Sequence, residues 1–270
     1  MLDPTLIAEL LVLGVGTGFL AGLLGIGGGM ILVPFITYIL SARGVDASLA
    51  VKMAIATSMA TIIFTSLSSV RAHHKRGTVM WPLVVRLAPG IVLGSAVASL
   101  GAFTALKGQG LALVFAAFVG FSALQMLRNT KPSPSRDLPG PVGQLGAGGV
   151  MGFLSGLVGA GGAFISVPYM TWCNVPMHHA ISTAAALGFP IAVANVTGYV
   201  ISGMSAQGLP AGAVGYIFVP ALAVIASASV LIAPLGVRAA HALPVAKLKR
   251  IFALLLFCLA AYMLSKGLAG

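Results

Sequence analysis

Two copies of one glycine-rich apolar stretch limit what this chain can fold into. The first reads Gly18-Phe19-Leu20-Ala21-Gly22-Leu23-Leu24-Gly25-Ile26-Gly27-Gly28-Gly29-Met30-Ile31-Leu32-Val33-Pro34. The second, 134 residues later, reads Gly152-Phe153-Leu154-Ser155-Gly156-Leu157-Val158-Gly159-Ala160-Gly161-Gly162-Ala163-Phe164-Ile165-Ser166-Val167-Pro168, and eleven of the seventeen positions are identical. Each glycine weakens a helix by about 1 kcal/mol relative to alanine, so the clustered glycines break any helix that runs into them. Water cannot satisfy the freed backbone, because 59% of the 270 residues are hydrophobic and only 7% are charged. Ordinary soluble domains carry about 25% charged residues. The chain therefore reads as an all-α polytopic membrane protein, in which a broken helix must be buried in protein or line a wet cavity. Two copies of the break imply a paired site.

Apolar segments run over 5–24, 29–42, 47–70, 78–102, 109–127, 142–158, 162–173, 178–203, 209–236 and 246–268. A helix needs about 20 residues to cross the hydrocarbon core, and 29–42, 142–158 and 162–173 are short for that. Each glycine-rich unit is thus either one broken crossing helix or a hairpin that returns to its starting side. The cations arbitrate, since Lys and Arg concentrate in cytoplasmic loops. Arg71, Lys75 and Arg76, then Arg128, Lys131 and Arg136, then Arg238, Lys247, Lys249 and Arg250 are ten of the fifteen. They share one side only if neither glycine-rich unit makes a net crossing. Each half then crosses three times, which makes the two halves inverted-topology repeats, as in many transporters. The boundary is the polar, Pro-rich linker of about residues 129–141; residues 1–130 form the first repeat and 131–270 the second, within one transmembrane domain. The formal charge of +11 is thereby a matter of topology, and no nucleic-acid partner is expected.

The breaks themselves suggest chemistry. A helix that starts after Gly27, Gly28 and Gly29, or after Gly161, Gly162 and Ala163, points unpaired N–H groups and a positive dipole end inward, which favours an anion. The alternative for glycine is close helix packing, and the rows Gly14, Gly18, Gly22 and Gly148, Gly152, Gly156 fit that role by their small-xxx-small spacing. Ala54-Ile55-Ala56-Thr57-Ser58 corresponds to Ala180-Ile181-Ser182-Thr183-Ala184, so hydroxyls stand at matching places after each break. They either donate to an oxyanion or bond back to the carbonyl four residues earlier. Asn195, in an apolar helix, either touches substrate or makes a helix–helix hydrogen bond.

Ionisable residues within a span are costly and therefore informative. Arg86 lies roughly 12 Å into its segment at helical rise, deep enough for an interior, anion-facing role. Lys52 is shallower and reads as a snorkelling side chain. The four acids, Asp3, Glu9, Asp46 and Asp137, fall in loops or near the N-terminus, so no carboxylate is placed for a proton relay or a sodium site. His73-His74 and His178-His179 have no acidic or cysteine neighbour and read as loop residues; no metal and no cofactor is expected. Cys173 and Cys258 read as buried small hydrophobes, and Trp81 and Trp172 as interface anchors. The sequence carries no nucleophile with a base that would suggest an enzyme.

At these residues the chain resembles the sulfite exporter TauE/SafE family of membrane permeases. The likeness rests on the doubled motif ending in Val33-Pro34 and Val167-Pro168, on Ala54-Ile55-Ala56-Thr57-Ser58, on His74-Lys75-Arg76-Gly77 before Trp81, and on Lys247-Leu248-Lys249-Arg250-Ile251-Phe252. It covers essentially the whole chain. The resemblance implies a permease of the bacterial inner membrane for sulfite, organosulfonates or other small sulfur-containing or organic anions. The residues alone argue only for a small anion. The second motif departs from the first at Ala163 for Gly29, and Ala184 stands where Ser58 does, so the half-sites are unequal. The expected function is export of a small anion by alternating access, with the substrate held by Gly27, Gly28, Gly29, Thr57, Ser58, Arg86, Gly161, Gly162, Ala163, Ser182, Thr183 and Asn195. Alternatives are a non-transporting membrane scaffold and an uptake permease for another anion. The small-residue faces also leave a homodimer open.

Overall fold

The computed structural model describes residues 3–24, 28–128, 136–242 and 245–268. Eleven α-helices appear among them: α1 (Pro4–Leu24), α2 (Gly29–Ala42), α3 (Ala47–His74), α4 (Trp81–Ala96), α5 (Phe103–Ala105), α6 (Gly108–Arg128), α7 (Pro141–Val158), α8 (Ala163–Trp172), α9 (Met177–Gly203), α10 (Val219–Ala242) and α11 (Val245–Leu268). A π-helical stretch, Val97–Ala102, joins α4 to α5, and the three together make one span. Seven helices of the described residues are long and apolar enough to cross a membrane. The protein is thus the all-α polytopic membrane protein that composition demanded.

Helix boundaries follow local chemistry. Asp46 caps α3 by accepting the Leu49 N–H at 3.0 Å, satisfying one of the N–H groups that a helix start leaves over. Pro82 and Pro141 fall in the first turns of α4 and α7, where a missing N–H is harmless. Pro34 and Pro168 lie at the same depth inside α2 and α8, and each removes one intrahelical bond. One apolar segment behaves differently from its composition. Residues 209–236 are not a single helix: Ala213–Val214 (β1) and Ile217–Phe218 (β2) pair as a short antiparallel hairpin, and the helix starts only at Val219. Gly215, at φ 54, makes that turn and packs its backbone onto Val200 of α9, where a Cβ would meet Val200 Cα at 2.7 Å.

The glycine rows set the helix pairs. Gly14 and Gly18 of α1 pack on Ile225, Ala228 and Ser229 of α10, while Gly148 and Gly152 of α7 pack on Leu87, Ile91 and Ser95 of α4. In both pairs the contact positions advance together, so the two helices run parallel. Asn195–Ser95 and Thr183–Met80 bonds make α9 parallel to α4. Thr57–Phe218 and Ser68–Val230 bonds make α3 parallel to α10. By contrast α3 and α9 are antiparallel, since Ser66 faces Gly188 and His73 meets Ser182. α6 and α11 are antiparallel too, with Gly120 against Ala260 and Leu113 against Gly267. The α1–α10 pair thus has its counterpart in α7–α4, and the α3–α10 pair in α9–α4.

Within the first half the chain reverses at the glycine cluster. Gly28 packs on Thr17, in the middle of α1, and Gly29 lies beside Ser58, in the middle of α3. From there α2 descends to the Arg43–Asp46 turn that starts α3. Arg43 is close enough to Asp3 for its charge to help hold that carboxyl below its ordinary pKa, after the larger effect of hydrogen bonds from Thr5. The start of α1 and the end of α2 therefore share a level.

Candidate functional site

The two glycine turns meet. A Cβ on Gly29 would collide with the Gly159 carbonyl oxygen, and one on Gly159 would stand 3.1–3.2 Å from Val33 and Ile55. Ser58 bridges the contact, its hydroxyl reaching the carbonyl oxygens of Gly29 at 3.3 Å and Gly159 at 3.1 Å. The N-cap residues of α2 and α8 are Gly28 (φ 72) and Gly162 (φ 76), both left-handed and neither with a side-chain cap. Glycine is the residue that adopts this conformation without strain. The first N–H groups of each helix to find a carbonyl are those of Ile31 and Leu32, bonded to Gly28, and of Ile165 and Ser166, bonded to Gly162. The N-terminus of α2 thus packs on Gly159, the C-cap of α7, three residues before the N-cap of α8. Gly28, Gly29, Gly162 and Ala163 are all buried; Gly27 lies outside the described residues.

Each sequence candidate has a definite place. Thr57 and Thr183 are fully buried and do not bond back to their own helices. Thr57 Oγ1 accepts the Phe218 N–H at 2.9 Å, and Thr183 Oγ1 accepts the Met80 N–H at 3.1 Å. Phe218 immediately precedes α10 and Met80 is the N-cap of α4, so matching threonines fasten the starts of matching helices. Accepting one N–H leaves each hydroxyl proton available to a further acceptor. Ser182 is drawn elsewhere. It donates to the His178 carbonyl at 2.8 Å and meets Thr78 Oγ1 at 2.8 Å and His73 Nδ1 at 3.1 Å, which ties it to the α3–α4 loop rather than to the turns. His179 Nδ1 joins the same network at the Thr78 carbonyl, 2.8 Å away.

Asn195 makes the helix–helix bond: its Nδ2 donates to Ser95 Oγ and to the Ile191 carbonyl, both at 2.9 Å. Arg86 does not join the site. It lies on the exposed face of α4, because Leu83, Val84 and Leu87 take the inner face of that helix. Lys52 is half-buried, its ammonium 3.3 Å from the Thr104 carbonyl and over the Phe103 and Tyr216 rings at 5.6 and 5.7 Å. Those partners are distant in sequence and come from α5 and from the turn of the β-hairpin. Cys173 is buried as expected, but Cys258 is exposed, on the outer side of α11.

A cavity reaches the turns from the side of the α3–α4 loop. It is bounded by Ala21 and Gly22, by Thr65, Ser66 and Ser69, and by Gly188, and ends at Gly161, with a volume of about 20 Å³, room for about one water molecule. The corresponding place in the other half is filled. Gly156, which matches Gly22, has the Asn195 amide and Ala98 against it, and the Tyr199 hydroxyl donates to its carbonyl. Phe103 covers Tyr199 with ring centroids 4.5 Å apart. Sequence reasoning missed this closure, because Tyr199 and Phe103 look like ordinary core aromatics until their partner is known.

Residues 10–263 match the model of a family described as "Sulfite exporter TauE/SafE". Among curated relatives, a "Probable membrane transporter protein" of Haemophilus influenzae is 34% identical over 264 residues, covering 97% of this chain and 99% of the relative. A probable membrane transporter protein of Methanocaldococcus jannaschii is 25% identical over 86% of each chain. The probable membrane transporter protein YunE of Bacillus subtilis is 27% identical over 72% of this chain and 78% of its own. No solved structure matches the chain.

Proposed function

The chain belongs to the sulfite exporter TauE/SafE family, and from that premise we propose that it carries a small oxyanion, sulfite or a short organosulfonate, out of the cell across the bacterial inner membrane. That it is a multi-pass membrane transporter follows from the family and from relatives described as probable membrane transporters. The anion is the further step. The observation that carries it is that α2 and α8 each start in the protein interior at an uncapped left-handed glycine, Gly28 and Gly162, with the α2 start packed on the Gly159 turn that leads into α8. Such termini favour negative charge through their N–H groups and dipoles. Thr57 and Thr183, buried beside the starts of α10 and α4, add hydroxyl donors without adding charge.

We read the two halves as inverted repeats of about residues 1–130 and 131–270. The support is directional: α1, α3 and α10 are parallel, α4, α7 and α9 run the other way, and the first glycine unit turns back on itself. In that arrangement Arg71, Lys75, Arg76, Arg128, Arg136 and Arg238 share one side, which the distribution of cations makes cytoplasmic. The small cavity to Gly161 lies in the half of the molecule nearer that side, and we read it as the start of an inward-facing route. With no carboxylate within the described spans beyond Glu9 near the start of α1, anion export driven by the inside-negative potential needs no proton relay. That potential supplies about 2.3 kcal/mol per charge per 100 mV.

Purified protein in liposomes tests the reading. Labelled sulfite flux should saturate, respond to an imposed potential, and compete with short sulfonates. Arg86→Gln should carry it within twofold of wild type. Flux indistinguishable from empty liposomes under every gradient would favour the non-transporting scaffold instead.

A further inference from the structure

Six positions differ between the two glycine-rich copies, and two of the differences put a serine in the second copy only. Ser155 stands opposite Ala21, and Ser166 opposite Leu32. Both serines are buried, 2% and 0% exposed, and neither hydroxyl has a hydrogen-bond partner among the described residues. The hydroxyls of Ser41, Ser69, Tyr169, Ser202 and Tyr262 also lack a partner there, so what sets this pair apart is its place against the start of α8, while many interior hydroxyls bond back to their own helices. Thr17, Thr37, Thr61, Ser99 and Ser122 each donate to the carbonyl four residues earlier. A buried hydroxyl without a partner calls for an explanation, most of all in a protein embedded in lipid.

Both serines belong to the start of α8. Ser155 Oγ lies 3.3 Å from where a Cβ on Gly162 would be, and Gly162 is the uncapped N-cap of that helix. Ser166 shares the buried face of α8 with Ala163, and helical side chains lean toward the N-terminus of their helix. The N–H groups of Ala163 and Phe164 precede the first N–H groups that bond within the helix. We infer that Ser155 and Ser166, together with the N-terminus of α8, form the subsite that holds the charged oxyanion head of the substrate. The first repeat contributes no equivalent donors. It has Ala21 and Leu32 at the matching places, and its Ser58 hydroxyl is engaged by the carbonyls of Gly29 and Gly159. The subsite takes an acceptor-rich anion, a sulfonate, sulfite or carboxylate group, since every group it offers is a donor. The assignment rests on the anion-transport reading and gives the head group to one repeat.

Calorimetry with sulfite and with ethanesulfonate on purified wild type, Ser155→Ala, Ser166→Ala and Ala21→Ser tests it. Each serine replacement should weaken binding about tenfold or more, the usual consequence of losing a hydrogen bond to a charged acceptor. Ala21→Ser should leave it within twofold of wild type. Without anion, both serine variants should unfold at or slightly above the wild-type temperature, because a hydroxyl without a partner has been removed. A fall of several degrees would assign the hydroxyls to the fold and overturn the subsite. Wild-type affinity in both serine variants overturns the subsite while leaving anion transport standing. Absence of saturable binding and flux in wild type removes the transport reading itself.

Discussion

Replacing Gly29 by alanine should force the two glycine turns apart. The added Cβ would collide with the Gly159 carbonyl oxygen and stand 3.1 Å from both Ile62 Cδ1 and Ser58 Oγ. Ile62 presents a flexible end that can swing aside. The carbonyl cannot, because it belongs to a turn held at φ 71 by Gly159. Restoring an ordinary separation needs a shift of about 1 Å between the turns, and overpacking of this kind costs about 1–3 kcal/mol. The shift also stretches the Ser58 bridge, a single O–H shared between both carbonyls, which contributes about 0.5–1.5 kcal/mol. The expected loss is about 2–4 kcal/mol, read as a lower unfolding midpoint in detergent and as reduced flux per folded molecule. Gly146→Ala is the control: it lies in the middle of α7 with nothing within 4 Å of its Cβ position. That replacement should be neutral or stabilise by roughly 0.5–1 kcal/mol. A Gly29→Ala protein as stable and as active as wild type would refute the contact between the turns, and with it the paired site.

Two other expectations follow from the geometry. Thr57→Ala and Thr183→Ala each leave a buried N–H, of Phe218 and Met80 respectively, without its acceptor, which costs about 1–3 kcal/mol. Both should unfold earlier, and Thr→Ser at either site should recover most of the loss; equal destabilisation by serine and alanine would mean that the methyl, not the hydroxyl, matters. Topology can be read by side-specific thiol labelling of Lys75→Cys, Arg238→Cys and Arg43→Cys, with Cys173 and Cys258 first replaced by alanine. Lys75 and Arg238 should react from one side and Arg43 from the other. Labelling of Lys75 and Arg238 from opposite sides would mean that a glycine unit crosses the membrane once.

Most of the helical plan was legible because lipid leaves so few choices. Apolar runs between polar loops had to be helices, and glycine clusters had to interrupt them, so segments such as 47–70 and 178–203 lie well inside α3 and α9. The packing rows were equally readable: Gly14, Gly18, Gly148 and Gly152 sit where small-residue spacing put them, against α10 and α4. What composition could not reveal was an apolar stretch that is not helix. Residues 213–218 are as hydrophobic as their neighbours, but Gly212 and Gly215, both with positive φ, turn them into a hairpin that delays α10 to Val219. Arg86 was misplaced for a related reason. Depth along a helix can be counted from sequence, whereas facing depends on which side of α4 meets α7 and α9. That side belongs to Leu83, Leu87 and Ile91, and Arg86 falls off it.

The glycine turns were legible as a pair, but their differences were passed over. Identity between the two motifs drew attention to the glycines they share, and the proposed subsite rests instead on positions where they differ: serine against alanine at 155 and 21, and serine against leucine at 166 and 32. The same inequality extends to conformation. Gly22 lines a small cavity, while Gly156, at the matching place, is packed under Asn195, Ala98 and Tyr199. Two halves with a common sequence plan thus pack oppositely at one position, which is the asymmetry that the proposed alternating access would need. Asn195 and Tyr199 fill that place in the second half. Ser69 stands opposite Asn195 in the aligned helices α3 and α9, and its hydroxyl lines the cavity without a partner among the described residues. The longer amide side chain thus goes with the filled place in one repeat, and the shorter serine with the small cavity in the other.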